Sequence, residues 1–400
     1  MKLGPTSKNF TEDDHRSVGP EETLRRIEPL MSVAGVTRVA DITDLDRIGI
    51  PVFSSIRPTA ESGAISVYNG KGMTKETAKA SAIMEAVERY CAEVRNDVII
   101  RQGVEDFMSS YNALHPLDLI LPQSTAYYLM HKSIAWVEGT ELNANEEIWV
   151  PASAVFHPYV PRTDMPLFRT STNGLAAGNN LEEAILHGLY EVVERNDWSF
   201  AEGRRRIGGD IEVPSSGKVK DLVEMFTSKG VDIHLKDLTT DIGIPTIAAA
   251  SDDTIMQDPA LLNLGLGTHL DPEVAAIKAL LEVAQCRLTL IHGAREDTIM
   301  AVGNRQLGYE RMKRINKMWL SPSDTTRSLD DLPHLATDDI FDDLQIVRAK
   351  INACGMNRTI VVDLTRKELG IPVVRVIVPG MEAFAIDEDR VGARLMGGFH

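Results

Sequence analysis

GKGMTKETAKASAIMEAVERY, residues 70–90, runs from a glycine-flanked lysine into an amphipathic helix. Helical spacing puts Ala78, Ser81, Glu85, Glu88 and Ala92 on one stripe, beside an apolar stripe of Ala80, Ile83, Met84, Val87 and Cys91. One face seats the helix and the other presents oxygen, with Arg89 just behind it. A single ExxER has a plain explanation, an i,i+4 glutamate–arginine pair on a solvated face contributing about 0.3–0.5 kcal/mol.

Repetition changes that reading. With Glu85 as reference, NNLEEAILHGLYEVVER (179–195) aligns on Glu191 and LDPEVAAIKALLEVAQCR (270–287) on Glu282. Eleven residues before each reference glutamate stand Thr74, Asn180 and Asp271, whose side chains can accept from a free amide of the first helical turn. Two residues past each cap is Glu76, Glu182 or Glu273, and seven before each reference is Ala78, Ala184 or Ala275. Pro272 takes the first helical position, and Glu183, three past its cap, predicts a capping box. Glu194 and Arg195 repeat Glu88 and Arg89; in the third copy Gln285 replaces the second glutamate, and Cys286 and Arg287 follow.

Glycine-rich connections, YNGKG, TNGLAAGNN and LGLGTHL, precede the helices and let backbone amides approach a ligand near a helix N-terminus. GKGMT is not a P-loop, because Gly72 follows Lys71 and no glycine stands five residues before Gly70. A solvated face places no demand on register, so three helices in one register point to convergence. Converging carboxylates repel by about 4 kcal/mol at ~4 Å and an effective dielectric near 20. They require cations. Oxygen-only ligands select hard ions, and Mg2+ takes one or two carboxylates, waters and nucleotide phosphates. Glu85, Glu88, Glu191, Glu194 and Glu282 are therefore the candidate metal ligands. Arg89, Arg195, Arg287 and Lys71 are candidates for holding phosphate, the arginines bidentately, with Ser81 and Asn179 as further nucleotide contacts.

The remaining sequence bounds the problem. The chain has 400 residues, 43% hydrophobic and 25% charged, enough for a large core. Its net charge of −16 gives no footprint for nucleic acid or an anionic membrane. Cys91, Cys286 and Cys354 form neither a CxxC pair nor a disulfide framework, and no apolar run reaches bilayer length, so a cytoplasmic protein is expected. The ten histidines lack ligand spacing, and His187 reads as a solvated or satisfied side chain. Residues 2–20 are polar and read as poorly ordered; the stretch 319–343 is acidic and turn-rich and reads as a surface excursion. A hairpin is predicted over 134–155 around Asn143, Ala144 and Asn145. KDLTTDIGIPTIAA and VDLTRKELGIPVVRV resemble each other, each with Asp-Leu-Thr leaving one strand and Gly-Ile-Pro entering the next. The expected fold is α+β, with mixed and antiparallel sheets, layered helices and repeated loop–helix units around one site, a 1–49 segment preceding a 50–400 catalytic domain.

The sequence resembles the YcaO family, whose SxxxExxER helix is matched by Ser81, Glu85, Glu88 and Arg89. Similar family patterns cover Glu191, Glu194 and Arg195, and the EVAQCR segment with Glu282, Gln285 and Arg287. The resemblance implies an ATP site in which these glutamates hold Mg2+ and the arginines and polar residues, Gln285 among them, hold the nucleotide. It implies activation of a peptide-backbone amide: a nucleophile adds to the carbonyl carbon, the oxyanion takes the γ-phosphoryl group, and loss of phosphate leaves an azoline, an amidine or a thioamide. No catalytic residue is assigned. Azoline-forming members end in a PxPxP tail, whereas this chain ends RLMGGFH. It looks most like the archaeal, methanogen-associated branch, which thioamidates a glycine of the methyl-coenzyme M reductase α subunit with sulfide, with a TfuA-like partner. A homodimer is implied as well. The alternatives are an azoline-forming cyclodehydratase, or an accessory ATPase or nucleotide-binding protein aiding another modifying enzyme, such as that of ribosomal-protein methylthiolation.

Overall fold

A computed structural model describes residues 1–129, 132–161, 163–296 and 299–397. The last three residues of the RLMGGFH ending thus lie outside the described residues. The three repeat helices span Lys75–Cys91, Leu181–Arg204 and Pro272–His292. Their caps are those expected: Thr74 accepts from Thr77 N, Asn180 from Glu183 N and Asp271 from Glu273 N. The capping box does not close, because the Glu183 carboxylate accepts from Asn179 and from Ser17 instead of reaching back to Asn180.

Three sheets carry these helices, and each helix follows a strand at a sheet edge. Val67–Lys71 ends a three-stranded antiparallel sheet with Val52–Ile56 and Arg38–Asp41, which places the division drawn at residue 50 inside one hairpin. Leu175–Ala177 ends a six-stranded antiparallel sheet, and Leu264–Thr268 ends a five-stranded one. Glycines seat strand on helix. A Cβ at Gly70 would lie 2.5 Å from Ala78 O, one at Gly178 2.5 Å from Ala184 N, and one at Gly267 2.1 Å from Ala275 O. The shared alanine and the glycine-rich approach are two sides of one contact, so these glycines serve backbone packing.

The hairpin is present as Ser133–Glu141 and Glu146–Pro151, with Asn145 left-handed at φ 54°. The two Asp-Leu-Thr segments fold alike. Asp237 accepts from Thr239 N and Asp363 from Thr365 N, both at 2.9 Å, and each threonine hydroxyl then accepts from the first amide of the returning strand at 3.2 Å. One turn chemistry thus builds an antiparallel pair in each of the two large sheets.

One expectation fails and another holds only in part. Residues 4–17 are tied to the body: Gly4 N donates to Glu182, Thr6 N to Asp339 and Ser17 N to Glu183, and Lys8 pairs with fully buried Asp343 at 2.6 Å. The stretch 319–343 is likewise anchored, with Trp319, Leu320, Leu329, Leu332 and Ile340 buried and Thr326–Arg327 adding a parallel strand to Gly209–Ile211. Asp339 and Asp343 are partners of the N-terminal segment, whereas Asp324, Asp330, Asp331, Asp338 and Asp342 remain exposed. Among the described residues no helix is long and apolar enough to cross a membrane.

Candidate functional site

The polar stripes of the three helices face one cavity of about 620 Å³. Ser81, Glu85, Glu88 and Arg89 line it from the first helix, Glu191, Glu194 and Arg195 from the second, Glu282 and Gln285 from the third, and Lys71 from the strand before the first. An adjoining cavity of about 210 Å³ shares Lys71, Ser81, Glu85 and Glu88 and is lined also by Asn179 and by apolar Val18, Met84 and Leu281.

Arg287 is the correction. It lines neither cavity but lies fully buried, its guanidinium 2.7 Å from Asp46 and 3.0 Å from Asp253. The reason is register: Arg89 and Arg195 follow their reference glutamates by four residues, whereas Arg287 follows Glu282 by five. One extra residue turns a side chain about 100° around a helix. Cys286 holds the fourth position and does line the cavity.

Charge is unevenly matched inside. Lys71 Nζ lies 2.6 Å from Glu282, Arg89 Nη2 is 3.1 Å from Glu85, and Arg195 Nη2 is 3.5 Å from Glu194. Burial, joined by Glu85 and Glu191, outweighs Arg89 and pushes Glu88 up to about 8. Burial, joined by Glu282 and Glu191, outweighs Arg195 and pushes Glu194 up to about 7. Burial raises Glu191 too, against the pull of Arg195, Arg89 and Arg375. Glu282, by contrast, is held below the usual carboxylate range, because Lys71 and Arg195 together outweigh its burial. Meanwhile Arg89 Nε and Nη1 are buried without a hydrogen-bond partner.

These features fit a bound cation and anion together. Among the described residues no three His, Cys, Asp or Glu side chains converge as a ready-made metal cage. Mg2+ does not need one, since it keeps waters and completes its shell with substrate phosphates. Carboxylates short of positive charge beside guanidinium nitrogens short of an acceptor are the donor set such a shared site requires.

Several wall residues escaped the sequence reading. Arg16 pairs with Asp14 at 2.7 Å and with Glu183 at 3.2 Å, and both Asp14 and Arg16 line the smaller cavity. Thr23 Oγ1 donates to Asn179 at 2.9 Å. Asp14 and Arg16 lie on irregular chain without a periodic signal, just before the Pro20–Ile27 helix that holds Thr23. Arg375 is buried and donates to Val155 O, Asn173 O and Ser171 O, fixing the loop that brings Thr172 to the cavity. Burial lowers it to about 10, with Glu191 and Glu88 opposing the shift. Its signal was legible: a lone charge within VVRVIV. His187 is neither solvated nor satisfied, since it lines both cavities with Nδ1 unpartnered, held neutral by burial and by Arg16 and Lys278.

Residues 69–382 match the protein family described as YcaO cyclodehydratase, ATP- and Mg2+-binding. An uncharacterized protein of Methanothermobacter thermautotrophicus is 51% identical over 386 residues, which cover 95% of this chain and 98% of that protein. An uncharacterized protein in the tfuA 3′ region of Rhizobium leguminosarum bv. trifolii is 31% identical over 394 residues, covering 95% and 91%. Among solved structures, YcaO from Methanopyrus kandleri bound with AMPPCP and Mg2+ superimposes with a TM-score of 0.81 at 33% identity, over 97% of this chain and 98% of that one.

Proposed function

The chain belongs to the YcaO family, and we propose that it uses ATP and Mg2+ to activate a peptide-backbone amide, which sulfide then converts to a thioamide. The observation that carries the ATP chemistry is the convergence of carboxylates from all three helices on one cavity. Glu85, Glu88, Glu191, Glu194 and Glu282 would hold Mg2+, and Arg89, Arg195 and Lys71 the phosphates. Ser81, Gln285 and Asn179 would contact the nucleotide, whose adenosine suits the smaller, more apolar cavity closed by the N-terminal segment. When bound, ATP supplies the phosphoryl group that takes the amide oxygen.

What the protein adds is placement. Arg89 and Arg195 present donors where charge develops on transferring oxygens, and the buried walls keep water away from them. No protein nucleophile is needed. Cys286, the thiol in the cavity, is pushed up to about 11 by burial and by Glu282, so it is protonated and a poor nucleophile at neutral pH. Sulfide adds to the carbonyl carbon, the oxygen departs as phosphate, and a C=S bond replaces C=O.

The thioamide branch is supported by the methanogen relative and by the relative in a tfuA region. On this reading the substrate is a glycine of the methyl-coenzyme M reductase α subunit, and a TfuA-like protein supplies sulfur. Incubation with ATP, Mg2+, sulfide and a peptide bearing that glycine should give ADP and a mass gain of one oxygen-to-sulfur exchange. Loss of one water from a peptide with Cys, Ser or Thr would instead identify the azoline chemistry. ADP formed with the peptide unchanged would identify the accessory ATPase.

A further inference from the structure

The carboxylates occupy only part of the large cavity. Toward its mouth the walls change character, to Leu262 and Asn263 before the edge strand, Leu290 on the third helix, Arg295 just past it, and Ala301 and Asn304 on the Ile299–Leu307 helix. The strand Leu264–Thr268 connects the two regions. It is the outermost of its sheet, so one of its edges has no neighbouring strand. The third helix takes up the inner groups of that edge: Glu282 accepts from the Leu266 amide, and Cys286 Sγ donates to Leu264 O at 4.0 Å. Beyond them comes Asn263. Its backbone carbonyl is used by Ser251 N, but its side-chain Nδ2 is buried and without a hydrogen-bond partner.

We propose that this outer end of the cavity docks the backbone of an extended peptide substrate, with the Asn263 side-chain amide pairing to it. The inference rests on the peptide-amide reading above. A buried amide left unpaired is costly, and a peptide backbone, carrying both a donor and an acceptor, satisfies it whichever way the amide is turned. Distance fits as well. Asn263 stands three residues from Leu266, about 10 Å along a strand, so it would meet a peptide residue about three positions from the amide held near Glu282. Small Ala301 and neutral Asn304 leave passage for a chain, with Arg295 the charged side chain lining that part of the cavity.

The test is binding of a fluorescein-labelled peptide bearing the target glycine, measured by anisotropy in the presence of AMPPCP and Mg2+, with turnover by mass spectrometry in parallel. For Asn263→Ala the peptide dissociation constant should rise about tenfold while AMPPCP affinity changes by less than about twofold. If that variant does not fold, Asn304→Ala on the opposite wall carries the same expectation. Unchanged peptide affinity, lost AMPPCP affinity, or a wild-type protein that binds no peptide overturns the track. Weakened binding in the variant together with no mass change in the wild type supports the track and refutes the thioamide chemistry.

Discussion

Binding of Mg2+ and nucleotide should expel protons from the carboxylate cluster. Glu88 titrates at about 8 and Glu194 at about 7 because burial and neighbouring glutamates oppose their charged forms. At pH 7 the two therefore hold about 0.9 and about 0.5 of a proton, roughly 1.4 together. A cation accepts only the charged forms, so these protons must leave as it binds. Titration calorimetry of Mg2+ and AMPPCP in buffers of different ionisation enthalpy measures the release. Glu88→Gln should lower it by about 0.9 proton at pH 7, and the difference between variant and wild type cancels the nucleotide's own titration. Equal proton release in the two proteins would refute the idea that the cluster lacks positive charge. The same shifts act on stability. Because both folded values exceed the ordinary 4.5, the ligand-free folded protein binds more protons than the unfolded chain from about pH 4.5 to pH 8. Stability then falls as pH rises across that window, by an amount of order 5 kcal/mol for Glu88. The rise in melting temperature produced by Mg2+ and AMPPCP should accordingly be larger at pH 8 than at pH 6.

Arg287→Met should destabilise by about 3–5 kcal/mol in urea unfolding, because it strands Asp46 and Asp253 in the interior, yet leave AMPPCP affinity of the folded protein unchanged. Lost affinity at full stability would return Arg287 to the site. Gly267→Ala should cost more than about 2 kcal/mol, since its Cβ would fall 2.1 Å from Ala275 O, whereas Gly303→Ala, in open space within a helix, should be neutral or gain up to about 1 kcal/mol. Equal melting temperatures for the two would remove the glycine–alanine seat as the cause of the repeated register.

Whatever the sequence repeated could be read in advance, because repetition reports a constraint that composition does not. Thr74, Asn180 and Asp271 begin each helix, and Ala78, Ala184 and Ala275 take the glycine strand, so the glutamates that follow are delivered at one height. Residues used once left no such trace. Arg16 arrives on irregular chain, and it pairs with Glu183, a partner 167 positions away. Within the acidic run at 338–343, Asp338 and Asp342 are exposed, and nothing local reveals that Lys8 reaches buried Asp343. Charge composition cannot distinguish a solvated carboxylate from a buried hydrogen-bonded one; only the fold supplies the partner.

The imperfect third copy gives the site its direction. Two helices bring an arginine four residues past the reference glutamate, and the third brings Cys286, a small side chain. The cation that Glu282 lacks on its own helix comes from Lys71, which belongs to the first repeat and holds Glu282 at 2.6 Å. Lys71, Arg89 and Arg195 are the cations ion-paired with these glutamates, and two of them, Arg89 and Arg195, lie on the first and second walls; Lys278 and Arg295 line the cavity as well. A triphosphate is drawn toward that side. The third wall carries a small side chain at Cys286, and from there the lining runs along the helix to Leu290, past Arg295 beyond its end, to Asn263. An arginine at position 286 would complete the symmetry and close that route, so Cys286→Arg should retain AMPPCP binding while excluding peptide.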